Sequence, residues 1–275
     1  MRALRFVLPM LICLMVCSCD TFNRKKPSEA IRGNWLIIFP DHRLKTTQER
    51  EVYGRHQDSI VSLYGLKLVS LSATGTFTEI DSVLKPPGRW TFTNDSLLRI
   101  QEGGRGFNPF TAAFKKFDKD TLQVIQNLAL GGEKIKLVWH LKKIEDDGEG
   151  AMLFDVAYNN WRKRPTAPEP SATMRKRLAA ILDYYATYFT LISKEATYFV
   201  PVRVPLPLHY YQHGIGMNSN LSPAFKALFY NEADAAKAYA ILQQGMRSTD
   251  VASTGDNYVV EYGLFLKKMA EALEK

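Results

Sequence analysis

A chain of 275 residues, 46% apolar and 23% charged, is long enough to bury one or two hydrophobic cores. Its 36 basic and 28 acidic residues give a formal charge of +8, a mild excess without long single-sign runs, which suits an anionic surface or an acidic ligand and demands neither. The three cysteines, Cys13, Cys17 and Cys19, all lie near the start, which excludes a disulfide framework running through the fold.

Arg2 and Arg5 precede an apolar run from Phe6 to Val16, broken by Pro9. That run is about half the roughly twenty residues needed to span a bilayer. A basic start, a short apolar centre and then small residues read as a signal peptide, and no later segment is apolar enough to span. Val16-Cys17-Ser18-Cys19-Asp20 resembles the bacterial lipobox, with Ser18 as the small residue before the acylated cysteine. Residues 1–18 are therefore expected to be removed and Cys19 to carry lipid. Loss of two arginines leaves 34 basic against 28 acidic residues, or +6. The mature chain is expected to have no disulfide and no thiol nucleophile. Residues 19–30, polar and containing Asn-Arg-Lys-Lys-Pro-Ser-Glu, read as a flexible tether.

From Ile31 to about residue 145 the pattern is that of β-strands. In Lys-Ile-Lys-Leu-Val-Trp-His-Leu, Ile135, Leu137, Trp139 and Leu141 share one face, with Val138 the exception on the other. Trp90 and Phe92 alternate with Arg89, Thr91 and Thr93 in the same way. Further strands are expected at 35–39, 66–71, 75–80, 96–101, 112–117 and 121–126, joined by turn residues at 73–75, 85–88, 93–95, 117–120 and 130–133. About eight short strands in sequence order make an antiparallel meander, and closing it into a barrel removes exposed edges. The long polar segment 41–58 is expected to be a solvated connector, with a lid over the barrel as the other reading.

Gly33-Asn34-Trp35, then Gly75-Thr76-Phe77 after a strand, then Gly88-Arg89-Trp90 before the leucine-rich strand at 97–101, resemble in this order the bacterial lipocalin-like lipoprotein domain. The resemblance covers residues 30–145. It implies a β-barrel in which Trp35 packs across the closed end and Trp90, Phe92 and Trp139 line the interior as ligand-contacting candidates. The Thr-Asp-x-Tyr segment of typical lipocalins and a counterpart of their barrel-closing arginine are not found.

After the acidic hinge 145–150, residues 151–275 read as a helical domain. A helix over 151–165 is expected to end on Arg162, Lys163, Arg164 and Pro165. A longer helix from about Thr173 carries Leu178, Ile181, Leu182, Tyr185, Phe189 and Ile192 on one face and Tyr184, Tyr188 and Leu191 on a second, so burial on two sides is expected. Ser222-Pro223 and Asn231 mark two further helix starts, Gly245 a stop, and a last helix from about Asp256 presents Val259, Tyr262, Gly263, Leu266, Met269 and Leu273.

Motifs for catalysis are missing: no Gly-x-Ser-x-Gly, Ser-x-x-Lys, His-Glu-x-x-His or paired-carboxylate pattern occurs. Gly-Gly-Arg-Gly at 103–106 lacks the context of a phosphate cradle. His209 and His213 sit among prolines and glycines, in what reads as an aromatic-rich loop instead of a metal site. The basic groups 162–164 and 175–177 read as a solvated patch, or as a site for an anionic partner.

The expected protein is thus α+β: an antiparallel, lipocalin-like barrel of about eight strands over 31–145, followed by a helical domain over 151–275. It is expected to be a lipoprotein of the cell envelope, held by Cys19 at the Gram-negative outer membrane and facing the periplasm, and to bind a small apolar or amphipathic ligand through Trp35, Trp90, Phe92 and Trp139. The alternative is a non-catalytic structural or interaction subunit with an envelope protein partner. No enzyme activity, cofactor, metal or nucleic acid is expected.

Overall fold

The computed structural model describes residues 26–38, 47–64, 67–80, 87–94, 96–101, 110–118, 120–130, 132–148, 150–155, 157–194, 204–211, 214–249 and 257–275. Eight strands form a closed antiparallel barrel in sequence order: β1 (Gly33–Ile37), β2 (Lys67–Leu71), β3 (Thr76–Ile80), β4 (Gly88–Thr93), β5 (Leu97–Gln101), β6 (Phe110–Asp118), β7 (Thr121–Leu130) and β8 (Glu133–Ile144). β8 closes on β1, with Ile37 opposite Leu141 and Asn34 opposite Ile144. Each strand follows the period of two, so one face of the sheet turns inward and closure leaves no edge unpaired.

The inward face gathers Trp35, Ile37, Val69, Leu71, Phe77, Trp90, Leu98, Ile100, Ala112, Leu122, Val124, Ile135, Leu137, Trp139 and Leu141 into one core. A register shift between Phe114 and Lys116 in β6 changes the alternation there, so Phe114 and Phe117 both pack against that core. Its two ends differ. At one, the strands are joined by two to four residues, 72–75, 94–96 and 119–120; at the other, three links are longer, 38–66, 81–87 and 102–109, and the fourth is the short 131–132.

The outward face is buried only where helices cover it. Leu36 and Leu68, opposite each other across β1 and β2, and Ile144 of β8 belong to a second core built mainly from the helical layer. This is why β1 is buried on both faces from Trp35 to Ile37. The helical layer begins with two short 3₁₀ turns, Ala151–Phe154 and Tyr158–Arg162, in place of the single helix expected over 151–165. Asp155 ends the first turn in extended conformation, and the Asn159 amide donates to the carbonyls of Leu153 and Asp155, which holds the chain in the broken form.

Four helices follow: α3 (Ser171–Ser193), α4 (Pro223–Lys226), α5 (Glu232–Arg247) and α6 (Tyr258–Glu274). They come after α1 (Pro27–Ala30) and α2 (Thr47–Tyr64), both discussed below. All nine apolar positions expected on the two faces of α3 are buried, as is the whole expected stripe of α6. The α3–α6 contact is close because Gly263 has no side chain: a Cβ there would sit 3.1 Å from the Cβ of Phe189. Ser222 and Asn231 cap α4 and α5 by accepting from the amides of Phe225 and Asp234. Gly245 does not stop α5, which continues to Arg247; it is buried beneath Leu273 instead. The expected loop around His209 contains a small hairpin, β9 (Leu208–Tyr211) with β10 (Gly214–Met217), where His209 faces Gly216.

Candidate functional site

The barrel closes around an apolar interior. At its tight-turn end, α1 and Ile31 lie at the end of the expected tether, with Ala30 and Ile31 buried. Trp35 is fully buried there; its indole N–H donates to the Ile31 carbonyl, 2.9 Å away, and its ring meets the edge of Phe117. Gly33 precedes it at φ +124°, a conformation glycine adopts without strain. Lys143 pairs in register with Trp35, and its Cε would lie 3.4 Å from a Cβ on Gly33. Trp90 also belongs to this end: its indole donates to the Ser72 carbonyl at 2.9 Å.

Trp139 stands further along the wall, whereas Phe92 lies two residues past Trp90 toward the 94–96 connection. Trp139 is fully buried and donates to the Oε1 of Gln126 at 2.7 Å, so the polar amide of β7 is matched inside an apolar interior. Phe92 is half-buried and packs edge-on against Phe114. The four barrel positions expected to line the interior, Trp35, Trp90, Phe92 and Trp139, thus all belong to or pack against one cluster. Cys19 lies outside the described residues, as does His213.

At the long-connection end stands α2, which replaces the expected solvated connector. Val52, Tyr53 and Ile60 of this helix are buried in the barrel core, and burial raises the Tyr53 phenol above its ordinary value. The signal was present in the sequence as Val52, Tyr53 and Ile60 at helical spacing, but it was diluted by the charges around it. The helix is held at the rim by Glu133, the first residue of β8, whose carboxylate accepts from Arg55 and lies 3.0 Å from the His56 Nε2. These contacts, Arg55 first, hold the Glu133 carboxyl below the usual carboxylate range. Lys67 and Glu79 add an ion pair of 3.0 Å on the inner wall near the same end, since Glu79 is opposite Val69 and Lys67 opposite Ile37.

Of the basic groups at 162–164 and 175–177, Lys163, Arg164 and Lys176 are exposed as expected, whereas Arg162 and Arg177 are buried. Arg177 is buried and donates to the carbonyls of Trp161 and Lys163 and to the Glu169 carboxylate. Arg164 donates to the carbonyls of Phe229 and Tyr230, in the segment that follows α4. Arg162 is buried between aromatic rings. Positive charge near the start of α3 is explained by this network, which staples residues 158–170 to the helices.

A concavity lies on the helical layer. This groove of about 350 Å³ is walled by Gly150, Ala186, Thr187 and Gly263 and rimmed by exposed Met152 and Leu264. Beside it, Asp183 accepts from Tyr158 and from Lys267. Burial, then the Asp183 carboxylate, pushes the Tyr158 phenol well above its ordinary value, so it stays a donor. Among the described residues no group of three or more His, Cys, Asp or Glu side chains is placed to hold a metal ion, and no helix is long and apolar enough to cross a membrane. Compared with family models, with curated proteins and with solved structures, the chain matches none.

Proposed function

We propose that the protein is a cell-envelope lipoprotein, anchored through Cys19, whose barrel binds a small apolar or amphipathic molecule. The observation that carries this reading is the asymmetry of the barrel's two ends. One is covered by buried Ile31 and Trp35; the other is crossed by a helix that turns Val52, Tyr53 and Ile60 inward. A barrel of eight strands is of the size that holds one small ligand or fills itself with side chains. The wall offers apolar and aromatic contact around Trp139 and Leu137, and a charged pair, Lys67 and Glu79, for a polar end. The lipobox-like run around Cys19 supports the anchor, and the location proposed with it is the Gram-negative outer membrane, facing the periplasm.

Native mass spectrometry of the full chain, purified in mild detergent, tests the binding. A bound species of a few hundred daltons, released on denaturation, is expected; protein free of any such species, with no uptake of added fatty acid, overturns the reading. Cys19→Ser is expected to move the protein from the membrane to the soluble fraction, and unchanged membrane fractionation would remove the anchor from the account.

The second reading, a non-catalytic interaction subunit of an envelope complex, is favoured by one feature: the groove beside Gly263, whose rim residues Met152 and Leu264 are large and exposed. Stoichiometric capture of an envelope protein that is lost with Leu264→Glu would support it.

A further inference from the structure

Three arginines of the helical layer are drawn into its packing, and one of them is unfinished. Arg177 is surrounded by acceptors: two backbone carbonyls and the Glu169 carboxylate. Arg164 finds two carbonyls. Arg162, at the end of the second 3₁₀ turn and only 8% exposed, finds none among the described residues for its Nε and Nη2, both buried. Its guanidinium carbon lies 4.7 Å from the ring centre of Tyr184 and 5.1 Å from that of Trp161. Ring faces stabilise the plane of the cation but accept little from its N–H edge.

Nε–H and Nη2–H point in parallel from one edge of a guanidinium, the edge that pairs side-on with two oxygens of one carboxylate or phosphate. The indole N–H of Trp161, on one of the rings that flank this cation, is a further buried donor without an acceptor among the described residues. Three carboxylates of the same layer are engaged elsewhere. Asp183 takes Tyr158 and Lys267, Glu169 takes Arg177, and Asp155 takes the amide of Ala157. A guanidinium cannot shed its charge, and buried charge without a partner is strongly unfavourable.

We infer that Arg162, with Trp161 and Tyr184, forms a binding site for a small oxyanion, the carboxylate or phosphate group of a molecule that enters the helical layer. This site is separate from the barrel interior and does not depend on the barrel binding a ligand. The same group could be carried by a soluble anion or by a lipid headgroup, and the probes below separate these sources.

The test is a titration of the full chain, followed by thermal unfolding and by the Arg162 Nε–H resonance in ¹H–¹⁵N spectra. Inorganic phosphate, acetate and dihexanoylphosphatidylglycerol are the probes, and chloride at equal ionic strength is the control. A saturable rise in melting temperature with at least one probe, together with a shift of that resonance, is expected. Tighter binding of the short-chain lipid than of free phosphate assigns the headgroup as the source. Arg162→Lys keeps the charge but loses the side-on edge, and is expected to weaken binding by about ten- to a hundred-fold. No saturable effect beyond chloride in the wild type, or an equal effect in Arg162→Lys, overturns the proposal. Should the variant fail to fold, the wild-type resonance decides alone: a shift with a probe supports the site, and none removes it.

Discussion

Trp139 and Gln126 illustrate how single residues set the terms inside the barrel. Their hydrogen bond is buried, with Gln126 2% exposed, so neither partner has water to fall back on. Trp139→Phe leaves the amide oxygen without its donor and is expected to cost about 1–3 kcal/mol by urea unfolding. Trp139→Phe combined with Gln126→Leu removes both polar partners and is expected to recover most of that loss. Equal losses in the single and the double variant would show that the packing of the indole matters and its N–H does not. Trp139 was legible in the sequence by its place on an alternating face. Gln126 was not, because a glutamine at an inward position is recognised only once its partner across β7 and β8 is known.

At the scale of elements, α3 and α6 carry the helical layer, and their faces were legible because 3.6-residue periodicity ran through both without interruption. Their close approach rests on Gly263. Gly263→Val places two methyls where Phe189 Cβ already stands, and is expected to destabilise by about 1–3 kcal/mol through overpacking. An unchanged unfolding midpoint would contradict that contact.

α2 was not legible as an inward-facing helix, since only a few of its side chains are buried and the remainder of the segment is polar. Its hold on the rim gives a pH signature. Arg55, then His56, lowers the Glu133 carboxyl, so the carboxylate's contribution is complete above its unfolded value and is lost as pH falls through its lowered folded one. Amide shifts of Val52 and Tyr53 are therefore expected to titrate below the usual carboxylate range. They should stay flat there in Glu133→Gln. A titration that persists in this variant would mean that another group anchors the helix.

Seen as a whole, the molecule is a barrel backed by helices, and the alternation of its strands made the meander readable in chain order. What the sequence did not reveal was contact between distant segments: Lys143 beside Trp35, Ile144 with Leu36 under the helices, and Arg177 bound to the carbonyls of a broken 3₁₀ segment. Those depend on closure of the sheet and on the path of the chain after it, which local periodicity does not encode.

The central claim is that the barrel accepts a guest. Three of the four tryptophans, Trp35, Trp90 and Trp139, belong to the barrel core, so a guest there must lie near indoles. Titration of the delipidated chain with a brominated fatty acid, which quenches tryptophan fluorescence on contact, tests this most directly. Saturable quenching at one equivalent is the predicted result. Emission that does not change, or that falls linearly without saturation, would contradict the claim and leave a barrel filled by its own side chains.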